Sequence, residues 1–173
     1  MNHQNTIPAF QYFEAEKQHK LKTDTEVYIV GDDLRNPMNH GALIRLADNI
    51  GAKKVFFTSN PERFSQTKIQ KTAGSSHTHM TYEFTNWDNI KAQIPGNYAW
   101  YAVETSDAAK NVYETSFADK CVFVVGNETL GLSPDVLNLC QTHVYIPVPG
   151  HTRSLNVSHA AAVVLFEWVR QKL

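Results

Sequence analysis

A chain of 173 residues carries 16 Lys and Arg against 17 Asp and Glu, a formal net charge of -1, with 42% hydrophobic and 11% aromatic residues. That length suits one compact domain, the composition excludes intrinsic disorder, and the charge balance gives no global sign of a polyanion binder. No apolar run approaches the roughly 18–20 residues that span a bilayer, and Met1 to Phe10 lacks the basic-then-apolar layout of a signal peptide, so a cytoplasmic protein is expected.

The first two dozen residues are polar, and Phe10 to Leu21 is expected to form a short amphipathic leader helix, with the main domain running over 25–173. Val27 to Val30 reads as a buried strand, followed by a turn-rich stretch and a helix that places Leu43, Ile44, Leu46, Ala47 and Ile50 on one face and stops at Gly51. Further strands are expected at Val55 to Phe57, Met80 to Phe84, Tyr98 to Val103, Val122 to Val125 and Val144 to Val148. Helices are expected at Trp87 to Ile94, at Ser133 to Cys140 with Ser133 as N-cap and Pro134 at the first position, and from about Ser154 to Lys172. Short apolar runs separated by helices predict an α/β fold, a mostly parallel sheet with helices on both faces.

Cys121 and Cys140 sit among apolar neighbours and read as buried thiols. Cys140 and His143 have metal-like spacing, but no second ligand pair stands near them and no metal is expected. Lys17, His19, Lys20 and Lys22 form one basic cluster, and Arg63, Lys68 and Lys71 another, each by itself readable as a solvated face.

In such a sheet ligands gather beyond the carboxyl ends of the strands, which directs attention to three loops. In the first, Asn39 and Gly41 stand at a helix entrance, where Asn39 reads equally as a cap or as a working group. Arg45 interrupts an apolar helix face, where a guanidinium is expected to grip a carboxylate or phosphate. The second loop is Gly126-Asn-Glu-Thr-Leu-Gly131, whose glycines would let the backbone approach a ligand and whose Glu128 is either a solvated turn acid or part of a site. It matches neither a Walker loop nor the dinucleotide glycine pattern. The third runs from Ile146 to Ser158, stiffened by Pro147 and Pro149. Ser154 is a natural N-cap there, and Asn156 then falls inside the helix, where Asn is a poor former.

Together and in this order, Asn36 to Gly51, the Gly-Asn-Glu-x-x-Gly-Leu of Val124 to Leu132, and the Ser-Leu-Asn-Val-Ser of Ile146 to Ala160 resemble the motifs of the SPOUT superfamily, and within it the SpoU or TrmH-type RNA 2′-O-ribose methyltransferases. The resemblance implies a C-terminal deep trefoil knot, S-adenosylmethionine (SAM) held in it, a homodimer joined through knot helices, and an RNA substrate, tRNA or rRNA. It further implies catalytic roles for Asn39, Arg45, Glu128, Ser154 and Asn156. For the cofactor it implies a cradle of backbone groups around Gly126, Asn127, Gly131, Ile146 and Leu155, with Glu104 and Thr105 beside them. Arg45 would lie near the target ribose and its phosphate, while Glu128 would fix its loop or pair with Arg45 of a partner subunit. Larger members add RNA-reading segments, so this chain is expected to act as a minimal member that builds its RNA face as a dimer. Two other readings stay open: a SAM- or RNA-binding module without turnover, and a flavodoxin-like nucleotide binder suggested by the strand and helix rhythm alone.

Overall fold

The computed structural model describes residues 6–15 and 20–173. The leader helix α1 is Ala9–Ala15, and Lys20 and Leu21 at the end of the expected Phe10 to Leu21 are not helical; Lys17 and His19 of the first basic cluster lie outside the described residues. Strands β1 (Glu26–Gly31), β2 (Lys54–Phe57), β3 (Tyr82–Phe84), β4 (Ala99–Val103), β5 (Lys110–Asn111), β6 (Lys120–Val125) and β7 (Thr142–Tyr145) form one seven-stranded sheet in the order β3-β2-β1-β6-β4-β7-β5. Every pairing in it is parallel.

Alternating side chains of these strands feed two cores. Val27, Ile29, Cys121, Phe123 and Val125 face α2 (Pro37–Asn49) and α7 (Val157–Lys172). Val30, Val122, Val124 and Ala102 face the other way, toward Ile90 of α5 (Trp87–Gln93) and Val136 of α6 (Pro134–Leu139). Burial on both faces is why the strands read as continuous apolar runs rather than alternating ones. Two short helices, α3 (Gln66–Ala73) and α4 (Ser76–His79), pack beside α2. Burial pushes the thiols of Cys121 and Cys140 up to about 12, which leaves both protonated at neutral pH. His143 uses its ring nitrogens on Ser106 Oγ and the Leu137 carbonyl.

Two expectations about helix starts are corrected. Asn36, not Asn39, caps α2: its side chain accepts from the Met38 N–H, with Pro37 at the first helical position, and Asn39 is buried one turn in. Asn156, not Ser154, caps α7, accepting from the N–H of Ser158 at 2.9 Å, so the helix starts at Val157. The strand expected at Val144 to Val148 ends at Tyr145, where β7 runs out of paired neighbour beyond Asn111 of β5.

The register Gly31 to Val125 to Val103 to Val144 aligns the carboxyl ends of β1, β6, β4 and β7. The segments that follow these strands therefore leave the sheet along one edge.

Candidate active site

The loops after β4, β6 and β7 surround a cavity of about 510 Å³ at that edge. Its wall includes Glu104 and Thr105 from the first, Gly126, Asn127, Glu128 and Gly131 from the second, and Ile146, Ser154, Leu155 and Asn156 from the third. Asn39 and Arg45 are not part of this wall. Asn39 adjoins it by accepting from Asn156 Nδ2 at 3.2 Å and donating to Glu128 Oε1 at 2.7 Å. That chain of amide and carboxylate ties all three motif loops together.

Glu128 is the hub. Its carboxylate accepts from the backbone N–H of Arg35 at 3.0 Å and of Asn36 at 3.1 Å, as well as from Asn39. Partial burial alone would raise its pKa, but these N–H donors outweigh it and hold the group below the usual carboxylate range. A negative charge here also sits at the N-terminus of α2, where the helix dipole favours it.

The second loop is a closed knuckle. Asn127, buried, accepts from the N–H of Thr129 and Leu130 with its carbonyl oxygen, and its amide donates to the Asp33 carbonyl at 2.8 Å. The Glu104 carboxylate accepts from the N–H of Thr105 and of Leu132, so it braces this loop from the end of β4. Gly126 lines the cavity, and a Cβ on it would stand 2.6 Å from the Gly131 carbonyl carbon and 2.7 Å from Leu132 N. The clearance is for the loop's own backbone. Gly131 has φ +67°, the left-handed region, and a Cβ on it would strike the Glu104 carboxylate. Gly126→Ala is therefore expected to cost about 1–3 kcal/mol of overpacking. At this chain length that lowers Tm by about 3–10 °C. Thermal melting checks it, and an unchanged Tm would show that the loop yields.

The third loop is different in kind. Residues 148–155 make no backbone–backbone hydrogen bond within the described chain, and Val148, Arg153, Ser154 and Leu155 of this stretch line the cavity. Ser154 lies in this stretch with its hydroxyl uncommitted among the described residues, while Asn156 both caps α7 and reaches Asn39.

Arg45 stands on the solvent side of α2. It is exposed on α2 and, among the described residues, pairs with no carboxylate; its Nη1 lies 4.0 Å from where a Cβ would stand on Gly74. The helix face it interrupts turns to solvent at that point, so a guanidinium is held there without an acid. Two other residues escaped the sequence reading. Arg153 lines the cavity as a cation without an acidic partner, and its only signal was its place inside the third motif. His40, fully buried, holds the Asn36 carbonyl with Nδ1 and the Ser59 hydroxyl with Nε2. Burial lowers its pKa and favours the neutral ring beneath the first loop.

Residues 26–166 match the SpoU rRNA Methylase family. The 23S rRNA (guanosine-2′-O-)-methyltransferase RlmB of Ralstonia nicotianae is 32% identical over 145 residues, an overlap covering 83% of this chain and 58% of that protein. A solved RNA 2′-O ribose methyltransferase superposes with a TM-score of 0.74 at 27% identity, over 89% of this chain and 59% of that one. An AdoMet-bound rRNA methyltransferase of Sinorhizobium meliloti shares the fold, with a TM-score of 0.75 at 24% identity over 90% and 59% of the two chains. The chain thus spans somewhat under three fifths of the length of these relatives.

Proposed function

Because the chain belongs to the SpoU rRNA Methylase family, we propose that it transfers a methyl group from SAM to a ribose 2′-hydroxyl of RNA, tRNA or rRNA. The observation that carries this is the convergence of the three motif loops, Asn39 to Glu128 at 2.7 Å and Asn156 to Asn39 at 3.2 Å, beside a single cavity. A flavodoxin-like reading has only the strand rhythm and accounts for none of these contacts.

The cavity fits the donor. Its volume falls in the range of about 300–1,000 Å³ usual for small-molecule sites. Its wall combines apolar Val103, Val125 and Ile146 with Val148, Arg153, Ser154 and Leu155, whose backbone groups make no main-chain hydrogen bond within the described chain. Gly126, Asn127, Gly131, Ile146 and Leu155 would hold the cofactor through main-chain groups, with Glu104 and Thr105 bracing the wall. When bound, SAM supplies a methyl group activated on a sulfonium. The residues around the cavity would have to hold a ribose oxygen in line with that methyl carbon and leave the hydroxyl proton a path out.

Arg45 clamps the phosphate next to the target ribose and polarises the hydroxyl; it stays protonated and does not act as the base, so the proton goes to water late in the step. Ser154 and Asn156 orient the reacting groups, and Glu128 holds the first and second loops in register. The RNA relatives support tRNA or rRNA as substrate and a cytoplasmic setting, and among the described residues no helix is long and apolar enough to cross a membrane.

The main domain is residues 25–173, with the leader outside it. The placement of β7 between β4 and β5, with α7 returning onto α2, supports the knotted C-terminal part that the family reading implies. Exposed Met38, Leu130, Leu155 and Phe166 support a homodimer that would cover apolar side chains left in solvent. Incubation of purified protein with labelled SAM and total RNA, followed by digestion to nucleosides, is expected to give a 2′-O-methylated nucleoside. SAM binding with no transfer to any RNA pool would overturn the enzyme and leave a binding module.

A further inference from the structure

The charge of -1 hides an uneven distribution of paired and unpaired cations. On the amino-end side of the sheet, Lys53 and Lys120 pair with Glu26, and Lys54 pairs with Glu83. Around α7, Arg170 pairs with Glu167 and Lys172 with Asp119. By contrast, Arg45, Arg63, Lys68 and Lys71 have no acidic partner among the described residues, and all four are exposed. Only Asp48 and Glu62 supply negative charge between residues 42 and 79.

Arg45, Lys68 and Lys71 share one ledge, and Arg63 stands in the turn Pro61–Arg63 that leads into it. Helix α3 buries Ile69 and Ala73 and turns Lys68 and Lys71 to solvent. It is clamped to α2 at Gly41, where a Cβ would stand 2.4 Å from the Ile69 carbonyl oxygen and 2.7 Å from Thr72 Cβ. Arg45 lies one turn beyond Gly41 on the same helix side and reaches Gly74 at the end of α3. Helix α2 thus carries the ledge from Arg45 back to Gly41 and His40, against which Phe64, the neighbour of Arg63, packs.

We propose that this α3 ledge, Arg63, Lys68 and Lys71 leading to Arg45, is the track on which the RNA phosphodiester backbone enters the site. The proposal rests on the methyltransferase reading and names the surface that delivers its substrate. Unpaired cations on a rigid helix favour a polyphosphate over a protein partner, because each contact releases a condensed counterion and nothing apolar need match. Arg63 and the two lysines bind the strand without touching the reacting atoms.

The test removes the charges of the ledge from the full chain as Arg63→Gln, Lys68→Gln and Lys71→Gln together. A control variant removes three charges elsewhere, at Lys53, Lys91 and Lys110. Affinity for total tRNA and for a single-stranded poly(U) oligonucleotide is measured against KCl concentration, alongside SAM affinity and thermal melting. With about 0.7 counterions released per phosphate contact on a single strand, the ledge variant should lose about 2 from the slope of log K against log salt. Between about 50 and 200 mM salt the wild type would then lose about 20-fold more affinity than the variant. SAM affinity, Tm and the control's slope should not move. An unchanged slope, an equal fall in the control, or salt-dependent binding of an acidic protein but not of RNA would each overturn the ledge. Wild-type protein that binds RNA with the expected slope yet transfers no methyl supports the ledge and overturns the catalytic reading instead.

Discussion

Arg45→Ala is expected to lower kcat for methyl transfer by at least about a hundredfold, the scale of removing one positioned electrostatic group from a transition state. Affinity for SAM should stay within about twofold. The expectation follows from where the side chain stands: outside the cavity wall, exposed, without an acid among the described residues, and on the helix whose first turn holds Asn39 against the pocket. A cation with no structural partner has little role in folding, so the variant should melt as the wild type does. Arg45→Lys should recover little, because an ammonium cannot present the planar fork that fits phosphate in a bidentate way. Single-turnover rates at saturating RNA, with SAM affinity measured by calorimetry, decide the matter. A parallel loss of SAM binding would move Arg45 from the substrate to the cofactor.

Much of this arrangement is legible in the sequence, and the parts that are not share a physical cause. The strands read clearly because both sheet faces are buried, which turns β1, β2 and β6 into unbroken apolar runs. The loops read clearly because each follows a strand, and the register brings those strand ends level. Helix starts read poorly: Ser and Asn are near-equal caps, so Ser154 and Asn156 compete on sequence alone. Asn156 caps α7 and also donates to Asn39, a contact 117 positions away in the chain that local propensity could not reveal. The two-residue β5 carries no periodicity at all. Gly126 announced a close approach but not its object, since its neighbour is the loop's own backbone across the Asn127 to Gly131 bridge. Arg45 stands out in the sequence by its misfit with the apolar face, as a group for a carboxylate or a phosphate; among the described residues no carboxylate pairs with it, which leaves it free for phosphate.

Glu128→Gln should be the second most damaging change, and its signature differs from that of Arg45. All three contacts on the carboxylate come from donors, the N–H groups of Arg35 and Asn36 and the amide of Asn39. A glutamine keeps one acceptor oxygen and brings its own NH₂ against a donor, so one face of the hub becomes repulsive. Loss of charge-assisted hydrogen bonds at a group this exposed should cost about 1–2 kcal/mol once solvent screening is allowed for. The larger effect is positional. With the tie from the second loop to Asn39 broken, Asn39 and Asn156 lose their common anchor, and misplacement of about 1 Å in such a site costs up to about a hundredfold in rate. The pH dependence separates this role from a generic one. Because the folded pKa is depressed, the carboxylate contributes stability in full above its unfolded pKa of about 4.3, and that contribution is lost as the pH falls through the lower folded value. The stability gap between wild type and Glu128→Gln should therefore hold from neutral pH down to the carboxylate range and close below it. Thermal melts of both proteins across that range measure the gap directly. A gap that persists unchanged into strong acid, or no gap at neutral pH, would remove Glu128 from the centre of the site.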